Sequence, residues 1–364
     1  MKEVGICYIL FMCLFLTGFA QQKDSIDEKR VKFAIYPAIG YTPETKVNIG
    51  TIAFFVFNMT SPSQSFHRPS SVTPYLVFTT NKQALVKTDL DLFFKNGMNL
   101  NMELRLFDFP DNYYGIGNDR LPSVTEKYSD KYTEIAGNLY KPITEKLFTS
   151  VVFDWQYNKI GPEAEGLLAA DAPVGLNGGW VMGLGPGLRY DSRNSTLYPT
   201  KGKLASVSYT AFGKVFGSEY SYSKFLFDYR QYFDFIGPKT VVAFQVKMDM
   251  TSGRDIPFYK LSKIGGSSRL RGLEHRNLYR DRQAVYFQVE ARQELFWRLG
   301  GVLFVGAGEV FDSFKDFDAG EAHLIYGLGG RFRALKDEKL NFRLDLGFTD
   351  NGQHAFYLSV REAF

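Results

Sequence analysis

The chain has 364 residues with a formal net charge of +4, and aromatic residues make up 16% of it, with 34 Phe, 22 Tyr and 34 Gly. So small a net charge, with no long run of one sign, argues against a nucleic-acid partner. Both cysteines, Cys7 and Cys13, lie near the N-terminus, which leaves the rest of the chain without a disulfide or a thiolate metal site.

Lys2, an apolar run from Val4 to Phe19 and the small residues around Ala20 read as a secretory signal peptide over 1–20, with Gln21 as the new terminus. A retained anchor helix is the alternative, although such a helix needs about 18 or more apolar residues. No later stretch is long and apolar enough for a membrane helix. An exported, aromatic-rich, glycine-rich and cysteine-free chain has the composition of a transmembrane β-barrel. The expected organisation is a short periplasmic segment over 21–32 and an outer-membrane barrel over 33–364.

Period-two alternation supports this. Met98, Leu100, Met102, Leu104 and Leu106 share one face, opposite Asn99, Asn101, Glu103 and Arg105. Further along, Leu340, Phe342, Leu344, Leu346 and Phe348 alternate with Asn341, Arg343 and Asp345. Strands with one apolar and one charged face, and no helix to cover the apolar one, fit a lipid-facing exterior around a polar lumen. In chain order, strands are predicted at 33–41, 47–58, 71–81, 84–94, 97–107, 128–140, 146–157, 180–190, 203–212, 220–232, 239–250, 285–295, 302–311, 322–333, 340–348 and 355–364. That is about sixteen, the even count of a closed all-β antiparallel barrel. If the first strand runs outward, the long connections 108–127, 158–179 and 251–284 all lie outside. The Ser/Pro-rich segment 59–70 is then a long periplasmic turn.

The most informative segment is Pro257–Asp281. Gly265-Gly266 admits backbone conformations closed to other residues. Arg271 beside Gly272 can enter a confined space, and a buried guanidinium requires carboxylates. Glu290 and Asp312 are the candidates, and a lumenal latch of Arg271, Glu290 and Asp312 is expected, with loop 251–284 folded into the barrel. Arg276, Arg280 and Arg282 read as an anion entry or as solvated loop charges. At the seam, Phe356, Leu358, Val360 and Phe364 alternate up to a terminal aromatic, with Glu362 interrupting the apolar face. The closing partner strand carries Pro37, which cannot donate to a ladder.

Catalysis is not expected. His67, His275, His323 and His354 are widely separated, and His275 near Ser267 and Ser268 has no orienting acid. The acidic stretch Asp312, Asp316, Asp318 and Glu321 does not match a Ca²⁺ loop. No cofactor, metal or catalytic residue is therefore assigned.

The segment Gly265-Gly266-Ser267-Ser268-Arg269-Leu270-Arg271-Gly272-Leu273 resembles the signature loop of the BamA/TamA superfamily of outer-membrane assembly barrels, also called bacterial surface antigens. In that family a hydrophobic-Arg-Gly-aromatic tetrad sits in the extracellular loop between strands eleven and twelve, the interval reached by the count above. Glu290-Ala291-Arg292 resembles the acidic position on the next strand. Gly306-Ala307-Gly308-Glu309-Val310-Phe311-Asp312 resembles the strand-thirteen motif whose closing acid pairs with the loop arginine. Tyr190-Asp191-Ser192-Arg193, with Pro199 and Gly202, resembles the family's turn between strands eight and nine. Leu273 departs from the usual aromatic, Gly306 from the usual aspartate, and 21–32 is too short for periplasmic POTRA domains. The resemblance implies a barrel in the outer membrane of a Gram-negative bacterium, in contact with outer-membrane lipids. It also implies a role in insertion, assembly or translocation, with a separate POTRA-like or lipoprotein partner and unfolded outer-membrane proteins as substrates. A porin-like or structural barrel with a plugged lumen is the alternative.

Overall fold

Antiparallel pairing, strand to neighbouring strand, closes sixteen strands into one barrel. The computed structural model describes residues 32–42, 46–59, 69–81, 83–162, 165–196, 198–234, 237, 239–335 and 340–364. The expected signal peptide 1–20, the expected periplasmic segment up to residue 31, and 60–68 of the long turn lie outside the described residues. The first half of the barrel comprises β1 (Lys32–Thr42), β2 (Lys46–Phe57), β3 (Ser70–Thr79), β4 (Ala84–Phe93), β5 (Asn99–Tyr113), β6 (Glu126–Pro142), β7 (Leu147–Gly161) and β8 (Gly179–Asp191). It continues through β9 (Gly202–Phe212), β10 (Tyr222–Phe233) and β11 (Thr240–Gly253). After a long loop come β14 (Gln283–Glu294), β15 (Leu299–Phe311), β16 (His323–Leu335), β17 (Leu340–Thr349) and β18 (His354–Val360). That loop contains a two-stranded sheet of its own, β12 (Ser262–Lys263) and β13 (Arg280–Asp281), and an adjacent outer loop holds the short helix α1 (Leu167–Asp171). The alternation pattern alone predicts neither, because both are shorter than a readable period.

Side-chain exposure follows the predicted two-residue rhythm. On β16, Leu324, Tyr326 and Leu328 are each at least half exposed, whereas Ile325 between them is fully buried. On β15, Leu303 and Val305 face outward while Val302 and Phe304 are buried. Large apolar groups thus point out and the inner face is enclosed, the arrangement a bilayer requires of a barrel wall. β5, β6 and β7 run beyond their predicted outer ends, lifting a tall wall on the extracellular side.

The last strand differs from expectation. β18 ends at Val360 instead of continuing to Phe364. Arg361, with a φ of 69°, turns the chain inward and donates its backbone N–H to Asn341 O at 2.9 Å. Phe364 is therefore buried with Tyr232 and Ala243 inside the barrel, not displayed on the strand. Phe356 and Leu358 do sit on the strand, where Phe356 packs on Tyr41 with ring centroids 5.5 Å apart. Val360 pairs with Phe342.

A charge placed on the outer band should be costly. Leu303→Arg is expected to destabilise the barrel by about 2–4 kcal/mol if the position lies near the bilayer centre. Urea unfolding in liposomes, followed by heat-modifiable gel mobility, measures it; an unchanged midpoint would contradict a lipid-facing β15.

Candidate functional site: a lumenal loop held by an ion ring

The loop between β11 and β14 enters the barrel because its apolar residues find partners there. Ile264, Leu270, Leu273 and Leu278 are fully buried among Tyr114, Tyr286, Phe304 and Val310. A second group joins Ile256, Phe258 and Leu261 to Tyr113, Tyr128, Leu168 and Phe212. Close approach of the backbones is possible only where side chains are missing. A Cβ at Gly347 of β17 would lie 2.1 Å from Arg271 O, and one at Gly272 would lie 2.7 Å from Phe348 O. Gly306 and Gly308 of β15 leave the space that Leu270 fills, since a Cβ at either would stand within 3.0 Å of that side chain. The glycine at 306 is thus the complement of Leu270. Leu273, in the place of an aromatic, is fully buried, and its carbonyl accepts from Tyr357 Oη of β18 at 3.1 Å.

Polar contacts pin the loop around the wall. Lys260 Nζ donates to Asp154 of β7 at 2.9 Å and to Glu134 of β6 at 3.3 Å. Burial alone would lower its pKa, but these two carboxylates carry it upward. Ser262 Oγ donates to Asp249 of β11 at 2.8 Å. Asp111 of β5 accepts from Arg276 Nη2 at 3.1 Å and from Asn277. Arg280 is fully buried, 5.5 Å from the Tyr113 ring, and donates to the carbonyls of Asn277 and Asn112. Arg282 pairs with Asp312 at 3.0 Å. Of the three arginines read from the sequence as an anion entry or as solvated charges, Arg276 and Arg280 anchor the loop, whereas Arg282 is exposed, as a solvated charge is, and pairs with an exposed Asp312.

Arg271 is the centre of the site. Its guanidinium lies over the Phe304 ring, 3.9 Å from the centroid, and is fully buried. Nη2 donates to Glu290 of β14. Nη1 donates to Asp345 of β17 at 2.9 Å. Asp312 does not take part: the chain leaves the sheet at Phe311, so the inward parity of β15 no longer governs the next residue. Its side chain is 61% exposed and is engaged with Arg282. Asp345 supplies the second carboxylate from the polar face of β17.

These contacts continue into a closed ring of alternating charge. Glu290 Oε2 accepts from Arg292 Nε at 2.8 Å, and the same Nε lies 4.0 Å from Glu362 Oε2 in the inturned tail. Glu362 accepts from Arg331 Nε at 2.8 Å, and Arg331 Nη1 donates to Asp345 at 2.6 Å, which returns to Arg271. Arg292 also donates to Phe364 O at 2.9 Å, and Asn341 Nδ2 donates to Glu362 at 2.8 Å. The ring therefore joins the extracellular loop, three strands and the segment after β18. Of the residues singled out in the sequence, the structure brings Arg271, Glu290 and Arg292 into the ring and packs Leu270, Gly272, Leu273 and Gly308 at the loop tip. Asp345, Arg331 and Glu362 are ring members that the sequence reading did not assign. The interruption of the apolar alternation at Glu362 is the one signal of its position: the residue has left the strand.

At the periphery, His275 stacks on Tyr114 at 5.1 Å, and Ser268 O accepts from Gln288 at 3.4 Å. Asp316 and Asp318 accept from the backbone N–H groups of Ser313 and Gly320. Pro37 stands opposite Thr51 of β2. Among the described residues, β1 and β18 share one register pair, Tyr41 with Leu358, while every other neighbouring pair of barrel strands shares at least seven.

Residues 75–360 match the Omp85 superfamily domain. The chain belongs to the Omp85 superfamily. It is accordingly a multi-pass barrel of the outer membrane. Two solved structures are similar in fold. BamA from Haemophilus ducreyi lacking POTRA domains 1–3 has a TM-score of 0.63 at 15% identity, over 91% of this chain and 70% of that one. CdiB from Acinetobacter baumannii has a TM-score of 0.55 at 12% identity, over 91% of this chain and 65% of that one, so this chain spans somewhat less than two thirds of CdiB. Curated protein sequences give no match.

Two outcomes test this geometry. Arg271→Ala should cost about 3–5 kcal/mol by removing one cation from each of two buried carboxylates, Glu290 keeping Arg292 and Asp345 keeping Arg331, and Arg271→Lys should not restore it because the bidentate fork is lost. A double-mutant cycle with Glu362→Gln should give a coupling of about 0.5–3 kcal/mol, read from urea midpoints. Simple additivity would mean that loop and tail are independent. Lys263 supplies a pH test. Burial first, then the nearby Arg280 and Arg276, push its ammonium well below the usual lysine range. With the folded pKa below the unfolded one, Lys263 is destabilising when protonated, and this cost falls as pH rises through the folded pKa toward 10.5. The stability gap between Lys263→Met and wild type should therefore narrow from pH 7 to pH 10.

Proposed function

We propose that this Omp85 barrel is a non-catalytic factor for the insertion, assembly or translocation of outer-membrane components. The observation that carries the reading is the seam between β1 and β18, which shares one register pair among the described residues. Strand edges in lipid cannot leave N–H and C=O groups unpaired without a cost of several kcal/mol per group. A seam with few pairs is the part of the wall most easily opened, and its exposed edges would accept an incoming strand. The tail after β18 is tied by Glu362 to the same ring as Arg271, which offers a route by which the loop could bias the seam. Unfolded outer-membrane proteins fit such an edge as substrates, and a separate POTRA-like or lipoprotein partner would deliver them from the periplasm.

The porin-like reading requires an open lumen, and the loop from Arg254 to Arg282 carries two apolar clusters into it. Folding of an unrelated outer-membrane barrel into liposomes containing this protein tests the proposal. Wild type should accelerate folding several-fold and Arg271→Ala should not, while bilayer conductance of wild type stays low. High wild-type conductance with no acceleration, both in the presence of periplasmic extract, would overturn the insertase reading in favour of a pore.

A further inference from the structure

A cavity of about 160 Å³ lies beneath the β14–β15 turn, at the end of the barrel where the tail folds inward. Five cationic side chains line it, Lys239, Arg292, Arg298, Arg331 and Arg333, against the single carboxylate of Glu294. Glu294 is already engaged, accepting from Arg333 Nη2 at 2.6 Å. Arg292 and Arg331 are 1% and 5% exposed. Arg292 Nη1, Arg331 Nη2 and Arg333 Nε are nevertheless buried without a hydrogen-bond partner. The ion ring cannot supply the missing charge, because its three carboxylates already face its three arginines and Arg343, whose Nε lies 3.4 Å from Asp345. Buried guanidinium donors left without acceptors are costly. A planar fork of such donors fits a tetrahedral oxyanion best.

The rim of this cavity is apolar. Leu295, Phe296 and Trp297 of the turn are 55%, 69% and 77% exposed. Trp297 packs against Phe332 of β16 at 5.9 Å between centroids, and the Arg298 guanidinium lies 5.8 Å from the Trp297 ring. Phe332 has the outward parity of Leu324, Tyr326 and Leu328, so the turn meets the membrane surface. Aromatic side chains at that level favour the headgroup region.

The geometry points to a phosphate-binding site at the periplasmic mouth, read by Arg292, Arg331, Arg333, Arg298 and Lys239. Its ligand is a phosphate group, either on a lipid of the periplasmic leaflet or free in the periplasm. The apolar rim matches the first source and the partly open cavity admits both. This inference does not depend on the insertion role.

Titration calorimetry on the full barrel in a phosphate-free maltoside micelle tests it, with inorganic phosphate and dihexanoyl phosphatidylglycerol as separate probes. The comparison variant is Lys239→Gln/Arg298→Gln, which leaves the ion ring intact; Arg298→Gln alone serves if the double variant does not fold by heat-modifiable mobility. Saturable one-to-one binding of at least one probe is expected, weakened about tenfold in the variant, the loss that follows from removing charge-assisted hydrogen bonds. Binding of both probes, with mutual competition, means that the phosphate group alone is recognised. Binding of the lipid probe only assigns the headgroup, and binding of inorganic phosphate only assigns the free ion. Absence of binding by either probe, equal affinity in the variant, or equal displacement by chloride at the same concentration would each overturn the proposal.

Discussion

A guanidinium with no access to solvent is the constraint around which this barrel is arranged. Arg271 can be carried into the lumen only if carboxylates wait there, and Glu290 and Asp345 do so from two different strands. Each of those acids in turn needs a second cation, and Arg292 and Arg331 provide it. Glu362 closes the sequence. An alternating ring is the economical solution, since every charge has at least two opposite neighbours, Asp345 a third in Arg343, and none is left to bear the desolvation cost alone. Cation–π contact with Phe304 covers the face of the central guanidinium that the carboxylates do not reach.

Charge alone would not seat the loop. The buried leucines and isoleucine of its tip supply apolar burial, and the missing side chains at Gly272, Gly306, Gly308 and Gly347 allow backbone and wall to meet. The lumen is therefore not a uniformly polar interior. It is a mosaic in which apolar clusters carry the packing and a few ionic contacts set the position. Anchors at β5, β6 and β7 hold the outer half of the loop, and the ring holds its tip, so the loop bridges the barrel from side to side. Continuity between the ring and the inturned tail connects the ring to the end of β18, the strand that closes the wall with the fewest register pairs among the described residues.

The fold was largely legible in the chain. Period-two alternation located about sixteen strands, and the lengths of the connections separated long outer loops from short inner turns. Family resemblance at Leu270–Leu273 and Glu290–Arg292 identified the loop and its first acid. The second acid was not legible. Asp312 and Asp345 both have inward parity by counting, but parity holds only while a residue remains in the sheet. Asp312 lies one residue past the end of β15 and turns to Arg282, whereas Asp345 lies within β17, two residues from the glycine against which the loop tip rests. For the same reason Phe364 could be read as a strand residue, although the left-handed turn at Arg361 carries it into the lumen.

By itself, then, the sequence determined the barrel, the number of its strands, the outward and inward faces, and the presence of a buried loop arginine with at least one acid. These are properties of local periodicity and of single-residue chemistry, and they survive without knowledge of what meets what. Tertiary structure alone decided the closing acid, the inward course of the tail, the ring that joins them and the unmatched cations beneath the β14–β15 turn. Each of those depends on the stagger between strands far apart in the chain. Stagger sets the height at which a side chain enters the lumen, and no local pattern records it.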